Sequence, residues 1–123
     1  MLIGEIAVND NIIWTVEGKI KDGQRETLEN LMREMVETVQ KEEGTLNYEW
    51  TLAEDEGLHV YEHYKDADAA TAHLSTWGSF SGRFMAAVDI TRFVVFSNLP
   101  ATLKEAVAGL EPIYMTSFGG FAK

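Results

Sequence analysis

The 123-residue chain is predicted to be an α+β protein of the ferredoxin-like, split βαβ class: an antiparallel sheet with two helices on one face. Three observations predict it. Residues 12–20 alternate as a strand. Residues 24–43 carry apolar side chains at helical spacing. Residues 58–84 change period midway, from strand alternation to helical steps.

In chain order, residues 2–8 read as a short strand and Asn9-Asp10-Asn11 as a turn cluster. Ile12 to Ile20 forms a firmer strand. Trp14, Val16, Gly18 and Ile20 share one face; Ile13, Thr15, Glu17 and Lys19 share the other. Gly18 within it signals a bulge or a close approach. From Gln24 to Glu43, Leu28, Leu31, Met32, Met35, Val36 and Val39 make one helical face. Asp22 is placed to cap that helix, and Gly44 to stop it.

Thr45 to Leu52 is a strand carrying Leu46, Tyr48, Trp50 and Leu52 on one side, and residues 53–57 make a hairpin loop. The strand 58–64 puts Leu58, Val60, Glu62 and Tyr64 on one face and His59, Tyr61 and His63 on the other. A helix over 66–76 and a second short one over 79–88 follow, then a strand from Ile90 to Ser97. Pro100 breaks that strand, a short helix spans 101–108 before Gly109, and the tail pairs as a terminal strand. The order is β-α-β-β-α-β with additions at both ends. Both faces of the sheet carry apolar groups, and one helical layer covers only one. A sheet-to-sheet homodimer is therefore expected.

The whole of 1–123 reads as one domain, with a core over about 12–97 and an extension over 98–123. The net charge is −10 and the ten basic residues are scattered, which argues against nucleic acid as a partner. Cysteine is absent, which removes disulfides, thiolate nucleophiles and thiolate metal sites. No apolar run reaches the roughly 18 residues of a membrane span, and the first residues lack a basic signal-peptide region. No membrane partner and a cytoplasmic location are expected.

GTLNYEW, the stretch LHVYEHYKDADAATAHL and the later RFMAAV together resemble the antibiotic biosynthesis monooxygenase family of dimeric α+β barrels. The tail LKEAVAGLEPIYMTSFGGFAK is similar to a branch described as quinol monooxygenase-like. The resemblance implies one pocket per protomer, between sheet and helices. It also implies oxidation of a small aromatic quinol or phenol by O₂ as co-substrate, without metal or organic cofactor. Such a substrate is its own reductant, so the protein must bind the ring, handle a phenol proton and exclude water. A haem-degrading branch uses an Asn, a Trp and a His at positions that here hold Val16, Tyr64 and Phe84, so that activity is not implied. The rival functions are a non-catalytic small-molecule-binding or stress-related protein and a structural dimer with a vestigial pocket.

His73 is the leading catalytic candidate: a neutral imidazole over the sheet could take a phenol proton, or it could be a structural histidine. Glu62 is a candidate base or an ion-pair partner of Arg83 or Arg92. Tyr64 joins them as a catalytic candidate, and Tyr64 and Trp77 could each stack on an aromatic ligand. Trp14, Tyr48 and Trp50 are core first and pocket wall second. His59 and His63 invite a metal reading, but on a strand they lie roughly 13 Å apart, too far for one ion, so no metal is expected. No nucleophile elbow, GxGxxG or HExxH is present.

Overall fold

A computed structural model describes residues 10–123. The strand expected over 2–8 lies outside them. Strand β1 (Ile12–Ile20) leads to helix α1 (Arg25–Val39), β2 (Thr45–Leu52), β3 (Gly57–Tyr64), α2 (Ala67–Ala87), β4 (Val88–Val95), α3 (Ala101–Val107), a single 3₁₀ turn (Ala108–Leu110) and β5 (Ile113–Tyr114). The sheet order is β2-β3-β1-β4-β5. Its first four strands are antiparallel, as expected; β5 adds to β4 in parallel.

Strand register explains where the core sits. Val95, Trp14, Glu62 and Tyr48 form one row across four strands, and Phe93, Val16, Val60 and Trp50 form the next. Both rows face α1 and α2. Leu28, Leu31, Met35 and Val39 of α1 are buried there, as their spacing predicts; burying each stabilises the fold by roughly 1.5–3 kcal/mol. Ile13, Thr15 and Glu17 face the other way with His63, Tyr61 and His59.

Gly18 fulfils both halves of its expectation. The β1–β4 register shifts between Glu17 and Gly18, and a Cβ there would lie 2.6 Å from Val88 Cγ1 and 2.8 Å from Asp89 O. Two helix ends differ from expectation. Asp22 does not cap α1; Gln24 occupies the N-cap position without a side-chain bond. The helix also stops at Val39, ahead of Gly44. Gly44 serves a close approach instead: its Cβ would lie 2.4 Å from Ala69 Cβ, and its carbonyl accepts from Lys65 N at 2.9 Å.

The two helices expected over 66–76 and 79–88 are one 21-residue helix. Asp66 caps it, accepting from Ala69 N at 2.8 Å. Gly78 costs such a helix only about 1 kcal/mol, and burial of Ala70, His73, Phe84 and Ala87 outweighs it. α2 runs straight into β4, so that strand begins before Ile90 and ends before Ser97, whose Oγ accepts from Ile13 N. At the C-terminal end Leu99, Leu103 and Val107 pack on Trp14 and Phe93. Glu111, at φ 52°, closes the 3₁₀ turn rather than Gly109. Only Ile113–Tyr114 of the tail pairs as a strand. Among the described residues, no helix is long and apolar enough to cross a membrane.

Candidate functional site

Glu62 stands in the middle of the apolar row between Trp14 on β1 and Tyr48 on β2. A carboxylate buried among hydrocarbons needs donors, and it has them. Trp14 Nε1 donates to Glu62 Oε1 at 3.0 Å, the Tyr64 hydroxyl donates to the same oxygen at 2.5 Å, and His73 Nε2 lies 3.2 Å from it. Among the described residues no hydrogen bond engages Oε2. Neither Arg83 nor Arg92 reaches Glu62. Arg83 pairs with Glu34 at 2.6 Å, and Arg92 lies 3.6 Å from Glu17.

His73 is held on its other side as well. It faces the sheet one turn after Ala70, and its Nδ1 donates to Glu42 Oε1 at 3.0 Å. Its side chain is only 4% exposed. Burial pushes His73 down, but hydrogen bonds to Glu42 and Glu62 and their charges outweigh it, and the group is pushed up to about 9. The imidazole is therefore a cation near neutral pH. The expectation of a neutral imidazole accepting a phenol proton does not fit this environment. Burial works against the Glu42 charge too, yet hydrogen bonds from His73, Thr76 and Thr45 hold its carboxyl below the usual range. Burial and the nearby Glu62 charge push both Tyr48 and Tyr64 above the ordinary phenol range, so both stay neutral hydroxyls.

A cavity opens beside this cluster. His73, Glu62, Trp14, Tyr48, Trp50 and Trp77 line it together, closed by Val16, Val60, Phe84 and Leu110. Tyr64 does not line it; fully buried, it packs against Trp14 with the rings tilted and 5.2 Å apart, and steadies Glu62 from behind. Trp50 Nε1 is buried without a hydrogen bond of good geometry, although it sits close enough to the Tyr48 hydroxyl to favour that group's ionised form. The cavity holds about 30 Å³, room for a water or two, whereas a single aromatic ring takes a cavity of about 150 Å³. Ring binding therefore requires a wall to move. Tyr48 is the wall shared with a groove of about 270 Å³ between the end of α1 and β2.

His59 and His63 lie on the opposite sheet face, where His63 Nε2 meets Asn11 Oδ1 at 2.5 Å. Among the described residues, no group of three or more acidic, His or Cys side chains is arranged to hold a metal ion. Glu42 is the site residue that sequence reasoning missed. It sits in the charged run Lys41-Glu42-Glu43, which reads as solvated surface. The spacing Glu42-x-x-Thr45 was the one local sign, since Thr45 Oγ1 donates to Glu42 at 2.7 Å.

Solved structures share this fold. MupZ from Pseudomonas fluorescens aligns with a TM-score of 0.82 over 94% of this chain and 91% of its own, at 20% identity. SnoaB from Streptomyces nogalater, described as a cofactor-independent oxygenase, aligns with a TM-score of 0.63 over 75% of this chain and 96% of its own, at 11% identity. Rv0793 from Mycobacterium tuberculosis aligns with a TM-score of 0.61 over 73% and 96%, at 16% identity. A search of curated proteins finds no match. The antibiotic biosynthesis monooxygenase family model matches residues 12–80, from the first residue of β1 into α2, and takes in Trp14, Tyr48, Trp50, Glu62, His73 and Trp77. The chain belongs to the antibiotic biosynthesis monooxygenase family.

Proposed function

We propose that the protein is a monooxygenase that oxidises a small, uncharged phenol or quinol with O₂, using no metal or organic cofactor, with Glu62 as the base. One observation carries this reading. Trp14, Tyr64 and His73 all converge on Glu62 Oε1 and not on Oε2, and Glu62 lines an aromatic cavity. A carboxylate so placed can take a phenolic proton at one oxygen while the other stays fixed. The family membership and the description of SnoaB support the choice of O₂ as oxidant.

The chemistry balances without a further reductant. Glu62 takes the phenolic proton, and the electron-rich anion passes an electron to O₂. The two radicals join to form a C–O bond at a ring carbon that bears hydrogen. Loss of that hydrogen as a proton, with cleavage of the O–O bond, leaves a carbonyl on the ring. The second oxygen departs as water, carrying the phenolic proton and the ring proton. Negative charge develops on oxygen along the way. The His73 imidazolium on the cavity wall favours it without having to reorganise.

A sheet-to-sheet homodimer is part of this reading, supported by Phe96 at 49% exposure and the apolar Ile13 on the face away from the helices. The test is oxygen uptake with a panel of neutral quinols, together with mass analysis of the products under labelled O₂. Uptake above background with one labelled oxygen in the product is expected. The aromatic lining of the cavity is equally suited to a second reading, a non-catalytic binding protein. Tight quinol binding with no uptake from any member of the panel would establish that reading and end the first.

A further inference from the structure

Glu42 stands outside the cavity wall, on the turn between α1 and β2, yet it completes the charge pattern of the site. Its Oε1 is 3.0 Å from His73 Nδ1 and 2.7 Å from Thr45 Oγ1, and its side chain is 17% exposed. His73 thus has a carboxylate oxygen at each ring nitrogen. A neutral imidazole carries a single N–H and can satisfy only one of them; the cation carries two. The titratable groups facing the ring are Glu42 from the turn, Tyr48 from β2, and Glu62 and Tyr64 from β3. The two tyrosines are neutral, so the two carboxylates decide the state of the ring.

Resting on the oxygenase reading above, we propose that Glu42 is a positioning residue that fixes His73 as an imidazolium, so that the base Glu62 is faced by a positive charge within an apolar wall. Without Glu42, the ring loses the acceptor at Nδ1. A neutral His73 could still donate from Nε2 to Glu62, but it would bring no charge to the developing oxygen anion. The cluster of two carboxylates and one imidazolium carries one net negative charge. It therefore takes a neutral phenol in preference to a ligand bearing a carboxylate or phosphate.

The test uses Glu42→Gln, which keeps the size and one acceptor oxygen, and Glu42→Asp, which keeps the charge. The His73 ring is titrated by NMR in the ligand-free protein, its signals assigned by comparison with His73→Gln. In Glu42→Gln the midpoint is expected to fall by about one pH unit or more, and in Glu42→Asp by less. Oxygen uptake with a neutral quinol is expected to lose about tenfold in kcat, with KM within about threefold. Its alkaline limb should move down by the same amount as the His73 midpoint. A purely structural Glu42 would lower thermal stability and leave both midpoint and limb in place. An unmoved His73 midpoint overturns the proposal even if activity falls. If the wild type oxidises no quinol, the oxygenase reading fails, and the titration still decides what Glu42 does. Should Glu42→Gln fail to fold, Glu42→Asp with its longer contact must give an intermediate midpoint; an unchanged one overturns the proposal.

Discussion

His73 Nε2 lies 3.2 Å from Glu62 Oε1, the same oxygen that accepts hydrogen bonds from Trp14 and Tyr64. The pair joins α2 to β3 at the centre of the sheet. Each partner is nearly inaccessible, at 4% and 7% side-chain exposure. Breaking such a buried pair leaves a charge without its counter-ion, which is why substitutions here must keep shape and remove one property at a time.

Glu62→Gln keeps the shape and the acceptor oxygen for Trp14 and Tyr64 and removes the base. Oxygen uptake with a neutral quinol should fall by roughly 10²–10⁴-fold, the usual share of a general base. Quinol affinity, read by tryptophan quenching, should stay within about threefold, because the aromatic wall is untouched. Near wild-type turnover in this variant would remove Glu62 from the chemistry.

Stability should depend on pH through His73. Its folded value, about 9, lies above the ordinary 6.5. A raised value means that the folded state holds the proton more tightly. The contribution is full below about pH 6.5 and is lost as pH rises through about 9. It amounts to up to about 3 kcal/mol. The urea midpoint of the wild type should therefore decline between these values. That of His73→Gln, already lower, should stay flat over the same interval. On the acid side the lowered Glu42 works the other way: its contribution is present above about pH 4.5 and is lost as pH falls through its folded value. A wild-type midpoint that does not change between about pH 6.5 and 9 would rule out the charged His73.

Much of this was readable from period alone. Strand alternation placed Val60, Glu62 and Tyr64 on one face, and helical steps placed His73 over it. Long-range facts were not readable. Glu42 turns inward only because the chain reverses at Gly44 against Ala69, a contact between segments far apart in sequence. The charge on His73 arises from that same reversal, since its Nδ1 partner is 31 positions away. The break expected between 76 and 79 is absent: burial along one helix face carries α2 through Gly78 against its local preference. The choice between Glu62 with an arginine and Glu62 with His73 depended on which helix face met β3, which the pattern did not specify.

Gly44 gives a prediction that separates the fold from the site. Ala at this position puts a methyl 2.4 Å from Ala69 Cβ, and the turn must move. Overpacking of this kind costs about 1–3 kcal/mol. Because the turn carries Glu42, Gly44→Ala should also lower the His73 midpoint. Gly109→Ala meets nothing within 4 Å and should change neither. Equal effects of the two substitutions on the His73 midpoint would break the link between turn and site.

Tyr48 decides how a ring reaches Glu62. It lines both the space of about 30 Å³ beside the acid and base groups and the groove of about 270 Å³. Only the second is large enough for an aromatic molecule. Swinging Tyr48 aside would join them, and its place on β2, at one edge of the sheet, leaves that movement less restrained than one by Trp14 at the centre. Tyr48→Ala should cost about 2 kcal/mol of stability, less than a fully buried aromatic. It should also raise the association rate of a neutral quinol about tenfold, as a gate no longer has to open. Tyr48→Phe keeps the wall and should associate at the wild-type rate. Stopped-flow quenching of Trp50 and Trp77 measures all three. If the alanine variant binds no faster than the phenylalanine variant, entry runs through another wall and Tyr48 is packing alone.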